Sequence, residues 1–395
     1  MSTDTKPGWF EARLPLCAVY RRHWSDGLVP ASQPLSWSVG PLVGVALAVL
    51  TLSGIWLGLA YQPSLSGAAR SIADYTRNVP YGWLIRDLHR VGTTMLFGVL
   101  FVELFRGAFY GTYRNGRELA WVIGIVRLFA CMAVGFLGFA MTGSPAAQGA
   151  LLIMQAHLAA LPLVGHLVGP AFLGGAGLNA ATGPRIAMAH EAIGFLVLLI
   201  AALTVVASRA APPANPDGIA TPDPRDLLPR SALAGQYFTA FLIFALIFAA
   251  ILAFAPGLGT PKTPLLPAAL AIPVRVTPPW YLLVFHGFAR MGGSPGGGLL
   301  LTVAAFLLLG ALPWLDRGTV ASGRYRPVYA GFLILLAVDL VLLGIAASEP
   351  GRGLWPAVID ITAIYAFAHF LIITPLVTML ETPHEVPARL SRRTA

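Results

Sequence analysis

Charge is scarce in this sequence: Asp, Glu, Lys and Arg together make up 11% of its 395 residues, against 56% hydrophobic residues and a mean hydropathy of +0.73. A soluble chain carries roughly a quarter charged residues, so this composition excludes the two or three globular domains that the length alone would allow. Cysteine is nearly absent. Cys17 lies in the N-terminal segment and Cys131 in an apolar run, which leaves neither a disulfide framework nor a CxxCH attachment motif. Phosphate loops, internal repeats and low-complexity runs are missing as well. The excess of 26 Lys and Arg over 17 Asp and Glu falls in the connections, so it is no nucleic-acid footprint.

What the sequence has in abundance is long apolar runs. Residues 41–60, 91–110, 121–141, 186–207, 234–255, 298–315, 328–347 and 356–379 each supply about 20 mostly apolar residues, enough to cross about 30 Å of hydrocarbon at 1.5 Å per residue. Backbone groups in lipid need internal partners, and runs without alternation exclude a β-barrel. The fold class expected is an all-α integral membrane protein of about eight transmembrane helices. It divides into an N-terminal four-helix bundle (36–207) and a C-terminal four-helix part (231–381), separated by the polar, Pro-rich linker 208–230. Residues 1–35 hold no apolar core of a signal peptide and read as a cytoplasmic or interfacial segment, with 382–395 as a cytoplasmic tail.

Arginines gather at 13–22, 106–117, 209–230, 317–326 and 389–393, whereas the other set of connections has only Arg70, Arg77, Lys262, Arg275 and Arg352. By the positive-inside rule both termini are expected inside, in a bacterial inner membrane. The long connections 142–184 and 256–280 then lie outside, where binding loops are usual.

Within the first four helices two histidines stand out, His89 in IRDLHRVGTT and His190 in RIAMAHEAIGF. Both helices start outside, which sets both imidazoles one to two turns below the outer surface, able to face each other. Two imidazoles across a bundle core are what a bis-histidine haem needs. A hydrogen-bonded packing histidine is the bland alternative for either one alone, and a matched pair weighs against it.

The order of motifs along nearly the whole chain resembles cytochrome b of the quinol:cytochrome c reductase (cytochrome bc/bf) family. The set comprises LTLSGIWLGLAYQP, IRDLHRVG followed by RGAFYGTYR, GFLGFAM, TPPWYLLVFHGFAR, LPWLDRG and RPVYAGFLILLAVDLVLLGIAASEP. The resemblance implies haem b ligated by His89 and His190, with Arg86 near a propionate and Gly54 and Gly138 beside the haem. It implies a second, inner haem whose ligands lie 14 residues further on, about 3.9 turns and about 21 Å along one helix face. Here those positions are Glu103 (89 + 14) and Thr204 (190 + 14), so both inner ligands are replaced. Arg127 should lie at the same level, where an ion pair with Glu103 offsets a charge that is expensive in lipid. The glycine pairs Gly40/Gly54 and Gly124/Gly138 keep the family's 14-residue spacing, so the inner space is left for a lipid, a quinone, a bulky side chain or a haem with unusual ligands.

The family's outer quinol segment is altered too. Its Pro-Glu-Trp-Tyr reads Pro278-Pro279-Trp280-Tyr281, which removes the proton-accepting carboxylate. His286, five residues past Tyr281, is either a substitute proton acceptor or a structural histidine beside the pocket. His157 and His166 in the outer connection read as surface residues, partner contacts or loop packing, His369, His23 and His384 receive no assignment, and Glu191 is expected to face away from the haem or the outer water.

These readings lead to an electron-transfer subunit with one haem b near the periplasmic face. It would exchange electrons between quinone, bound by Trp280, Tyr281 and His286, and a periplasmic cytochrome c, iron-sulfur protein or dehydrogenase, without a full Q-cycle. Other subunits of a redox complex and a homodimer are family expectations. The rival is a membrane anchor with a structural or absent haem and no quinone turnover. A transporter lacks interrupted helix pairs or an inverted repeat.

Overall fold

The computed structural model describes residues 21, 25–260, 276–291 and 293–390; Cys17, His23, Lys262, Arg275, Arg392 and Arg393 lie outside the described residues. Long helices form where apolar side chains continue for five or more turns, since each backbone group then finds its partner inside its own segment. In chain order they are α1 (Val39–Gly58), a short α2 (Ala68–Asn78), α3 (Gly82–Tyr110), α4 (Glu118–Ala140), the pair α5 (Pro145–Ala159) and α6 (Gly165–Leu173), and α7 (Thr182–Ala210). After the linker come α8 (Ala234–Phe254), a short α9 (Leu283–Met291), α10 (Pro295–Leu315) and α11 (Pro327–Ser348). Last is α12 (Trp355–Ala368), which continues through a π turn at His369–Ile373 into α13 (Thr374–Leu380). Eight of these stretches are long and apolar enough to cross a membrane, as the sequence predicts, with α12 through α13 acting as one.

Helix starts follow local chemistry. Ser144 and Ser294 accept hydrogen bonds from the backbone N–H of Ala147 and Gly297, each followed by proline in the first turn, where no N–H is needed. The third helix begins at Gly82 rather than near residue 91. Arg90 pairs with Asp87 at 3.0 Å, so the charged IRDLHR stretch is accommodated inside the helix and His89 stands two turns in from its start.

Two helix pairs build the first bundle, α1 along α3 and α4 along α7. Val43, Leu47, Val91, Leu96, Leu128 and Met132 fill the space between them, while Leu333, Leu336, Leu343, Ala363 and Phe370 form the core of the C-terminal part. Large apolar side chains such as Leu52, Phe195, Leu199, Val206, Phe238 and Leu246 point outward and are exposed, the pattern of a surface solvated by hydrocarbon.

Two connections hold more structure than their composition suggests. The 142–184 connection folds into α5 and α6. The linker contributes β2 (Leu227–Pro229), paired antiparallel with β1 (Leu28–Pro30) so that Val29 faces Leu228. Asp226 beside it accepts a hydrogen bond from Arg389 at 2.5 Å, and Asp217 accepts from Arg324 and from Tyr325, each at 2.7 Å. The segment read as a bare break is thus tied to both ends of the chain.

Candidate functional site

His89 enters the first bundle from α3 and His190 from α7, with ring centroids 6.4 Å apart and planes at 61°. Each ring is held at Nδ1. That of His89 lies 3.1 Å from the Leu50 carbonyl and 3.1 Å from Ser53 Oγ, and that of His190 lies 3.1 Å from the Val134 carbonyl. A carbonyl only accepts, so Nδ1 carries the proton in both rings; the Ser53 hydroxyl donates to Val49 at 2.6 Å and leaves its lone pair for the same N–H. Both Nε2 atoms are therefore the unprotonated nitrogens, the tautomer in which a second partner orients a metal-ligating histidine.

The rings rest on glycine. A Cβ at Gly54 would stand 3.1 Å from His89 Cε1, and one at Gly138 would stand 3.0 Å from His190 Cε1, so any side chain at either position displaces an imidazole. Just past these helices, Tyr61 donates to the Met141 carbonyl at 2.8 Å and joins the ends of α1 and α4; burial pushes its phenol pKa up to about 12.

These residues fit haem. Two metal–imidazole bonds of about 2 Å, with about 1 Å more from each nitrogen to its ring centre, set ring centres about 6 Å apart, close to the 6.4 Å observed. Among the described residues no group of three or more His, Cys, Asp or Glu is gathered to hold a bare metal ion. Two neutral imidazoles suit an iron whose remaining ligands come from a macrocycle. Arg86 stands three residues before His89 on α3, half-buried, and Glu191 is exposed.

Fourteen residues further along both helices the chemistry changes. Glu103 accepts a hydrogen bond from Arg127 of α4, and the Thr204 hydroxyl donates to the Ile200 carbonyl at 2.8 Å. Glu103, Arg127 and Thr204 share one cavity of about 100 Å³ with Gly124, Arg106 and Arg117. A Cβ at Gly124 or Gly40 would meet nothing within 4 Å, in contrast to the crowded glycines of the histidine level.

Trp280 and Tyr281 reach the same bundle just before α9. Tyr281 stacks on Phe97 of α3, with centroids 4.0 Å apart and planes at 7°, and its hydroxyl donates to the Gly135 carbonyl of α4 at 3.2 Å. Burial raises the phenol's pKa above its ordinary value, which keeps it a donor. Trp280 meets Phe101 edge-on at 5.7 Å. His286 is half-buried on α9, next to Phe285, which stacks on Phe306 at 4.4 Å.

The remaining histidines stand elsewhere. His157 Nδ1 is 2.7 Å from the Ile153 carbonyl of its own helix, His166 is exposed, His369 is buried in the π turn against Phe370, and His384 donates its backbone N–H to Tyr325. Sequence reasoning missed Ser53 as a partner of His89, and it missed Arg106 and Arg117 as walls of the second cavity. The clustering of arginines at 106–117 was the available sign for the latter.

Comparison with known proteins gives a consistent result. Residues 25–211 match the family model for cytochrome b/b6/petB, and residues 267–367 match the model for the C-terminal part of cytochrome b/b6/petD. The chain is 31% identical to a cytochrome b of Rickettsia conorii over 394 residues, covering 98% of this chain and 99% of that protein. It is 32% identical to a cytochrome b of Rhodospirillum rubrum over 390 residues, covering 97% and 95%. Its fold matches a chain of a hyperthermophilic respiratory Complex III with a TM-score of 0.86, at 24% identity, over 94% of this chain and 98% of that one.

Proposed function

This chain belongs to the cytochrome b/b6 family, and from that premise we propose that it is a membrane electron-transfer subunit carrying a single haem b at the level of His89 and His190. One observation carries the reading: the histidine level brings two imidazole rings to 6.4 Å, each engaged at Nδ1, and the level 14 residues on presents an ion pair and a hydroxyl bound to its own helix. Haem b bound here supplies one-electron storage and release. The protein holds both ring tautomers through Leu50, Ser53 and Val134, keeps the rings apart by seating them on Gly54 and Gly138, and offers Arg86 to an anionic edge.

Glu103, engaged by Arg127, and Thr204, engaged by Ile200, leave no ligand nitrogen at the second level. About 21 Å of helix beyond His89 then carries no second redox centre, and a full Q-cycle across the membrane is not supported. Electrons instead pass between quinone and a periplasmic partner, such as a cytochrome c, an iron-sulfur protein or a dehydrogenase, within a larger redox complex in a bacterial inner membrane with both termini cytoplasmic, a homodimer being the family expectation. Trp280, Tyr281 and His286 border the quinone, and His286 takes the proton that the missing carboxylate would have taken. The halves 36–207 and 231–381 divide this work into haem holding and quinone bordering.

Pro279 in place of the carboxylate favours a second reading, a membrane anchor with a structural haem. Quinol reduction of the haem in the purified protein separates the two. Reduction that an outer-site quinol analogue blocks, and that slows in His286→Ala, supports the carrier; a haem inert to quinol supports the anchor.

A further inference from the structure

The second cavity is lined by three guanidinium groups, Arg106, Arg117 and Arg127, and one carboxylate, Glu103. Arg127 is 6% exposed and donates to Glu103, yet its Nε has no partner among the described residues; Arg106 Nε is likewise buried without one. The Arg106 guanidinium lies over the Trp37 ring at 4.6 Å. Arg117 reaches the carbonyls of Thr112, Ser208 and Pro212 at 3.0, 3.1 and 2.8 Å, and burial, then the charge of Arg106, draws its pKa below the ordinary value. Three cations against one anion leave an excess of two positive charges (3 − 1) facing about 100 Å³ of space.

Excess charge enclosed at the end of a membrane bundle is costly unless a counter-charge meets it. We propose that this cavity is a binding site for a phosphate-bearing anion, whose oxygens accept from Arg106 and Arg127. At about 10–15 Å³ for each enclosed water, the space holds on the order of seven waters or more, enough for a phosphate group. A neutral quinone head would leave the charge excess in place, whereas guanidinium and phosphate pair through matched, charge-assisted hydrogen bonds. Thr112 just follows α3, Arg117 just precedes α4 and Ser208 stands near the end of α7, whereas Leu100, Arg127 and Leu128 line the cavity two to three turns further in, so it runs from one end of the bundle inward along the helices. The anion is a lipid headgroup or a free phosphate. The inference rests on the single-haem reading, because a second macrocycle would occupy the same space.

The test uses the full chain, purified without phosphate and exchanged into phosphatidylcholine nanodiscs doped with phosphatidylglycerol. Native mass spectrometry counts retained phosphatidylglycerol, dialysis against radiolabelled inorganic phosphate counts the soluble anion, and pyridine haemochrome counts haem in the same sample. One anion per chain is expected, from either source, with binding at least tenfold weaker in Arg106→Gln and in Arg127→Gln and restored in Arg106→Lys, while haem content shows that the variants are folded. No stoichiometric binding of either probe, or binding indifferent to both Gln variants, overturns the site. One haem with no anion overturns this inference alone; two haems per chain overturn the single-haem reading beneath it.

Discussion

His190 and Tyr281 hold consecutive carbonyls of one helix: the imidazole Nδ1 is bonded to Val134 at 3.1 Å and the phenol hydroxyl to Gly135 at 3.2 Å, both on α4. The haem-ligand candidate and the quinone-segment tyrosine are thereby fixed to the same turn, one turn from Gly138 under the imidazole. Tyr281→Phe removes one bond worth about 0.5–1.5 kcal/mol. The haem should stay bound, and its reduction by quinol should slow several-fold; stopped-flow absorbance in the haem band checks this. The phenol stays protonated because burial raises its pKa, so the wild-type bond should show no titration through neutral and mildly alkaline pH.

The glycines of the two levels should differ. Gly138→Ala and Gly54→Ala force a methyl to 3.0 and 3.1 Å from an imidazole carbon, and each should lower haem content by at least half. Gly124→Ala meets open space and should leave it unchanged. Haem per polypeptide in purified variants reads the contrast directly.

Arg127→Leu removes the cation bonded to Glu103 and leaves Arg106 as the other charge beside it, at a cost of roughly 1.5–3 kcal/mol. Glu103→Leu/Arg127→Leu removes both charges and should recover most of the loss. Thermal unfolding in detergent distinguishes coupled from independent residues: additive losses in the double variant would show that the ion pair has no energetic meaning.

At the same end of the bundle Asp316 accepts from Tyr113 at 2.6 Å and from Arg326 at 2.9 Å, all three buried. Burial, followed by the nearby Tyr329 and Asp316, pushes the Tyr113 pKa well above its ordinary value, so it remains a donor. Asp316→Asn removes one of two carboxylates at the Arg326 guanidinium, which keeps Glu381 at 3.7 Å, and a loss of about 1.5–3 kcal/mol in unfolding free energy is expected, measured as a lower Tm with haem still bound.

The eight spans were legible because hydrocarbon solvation demands long apolar runs and little else produces them. The juxtaposition of His89 and His190 was legible because two imidazoles at matched depth are rare in such runs, and the meeting of Glu103 with Arg127 because helical spacing sets both at one level. The β1–β2 pairing was not legible: three-residue strands ending in proline show no alternation. Nor was the Tyr281–Gly135 bond, since a glycine carbonyl carries no mark of its acceptor role in sequence. Ser53 beside His89 was hidden for a related reason, because a serine inside a helix usually bonds back to its own turn, as this one also does with Val49.

Haem b per polypeptide, measured by pyridine haemochrome against protein mass in the wild type and in His89→Ala and His190→Ala, tests the central claim most directly. The account predicts one haem per chain in the wild type, lost in either variant. Two haems per chain, or one that survives both substitutions, would contradict it.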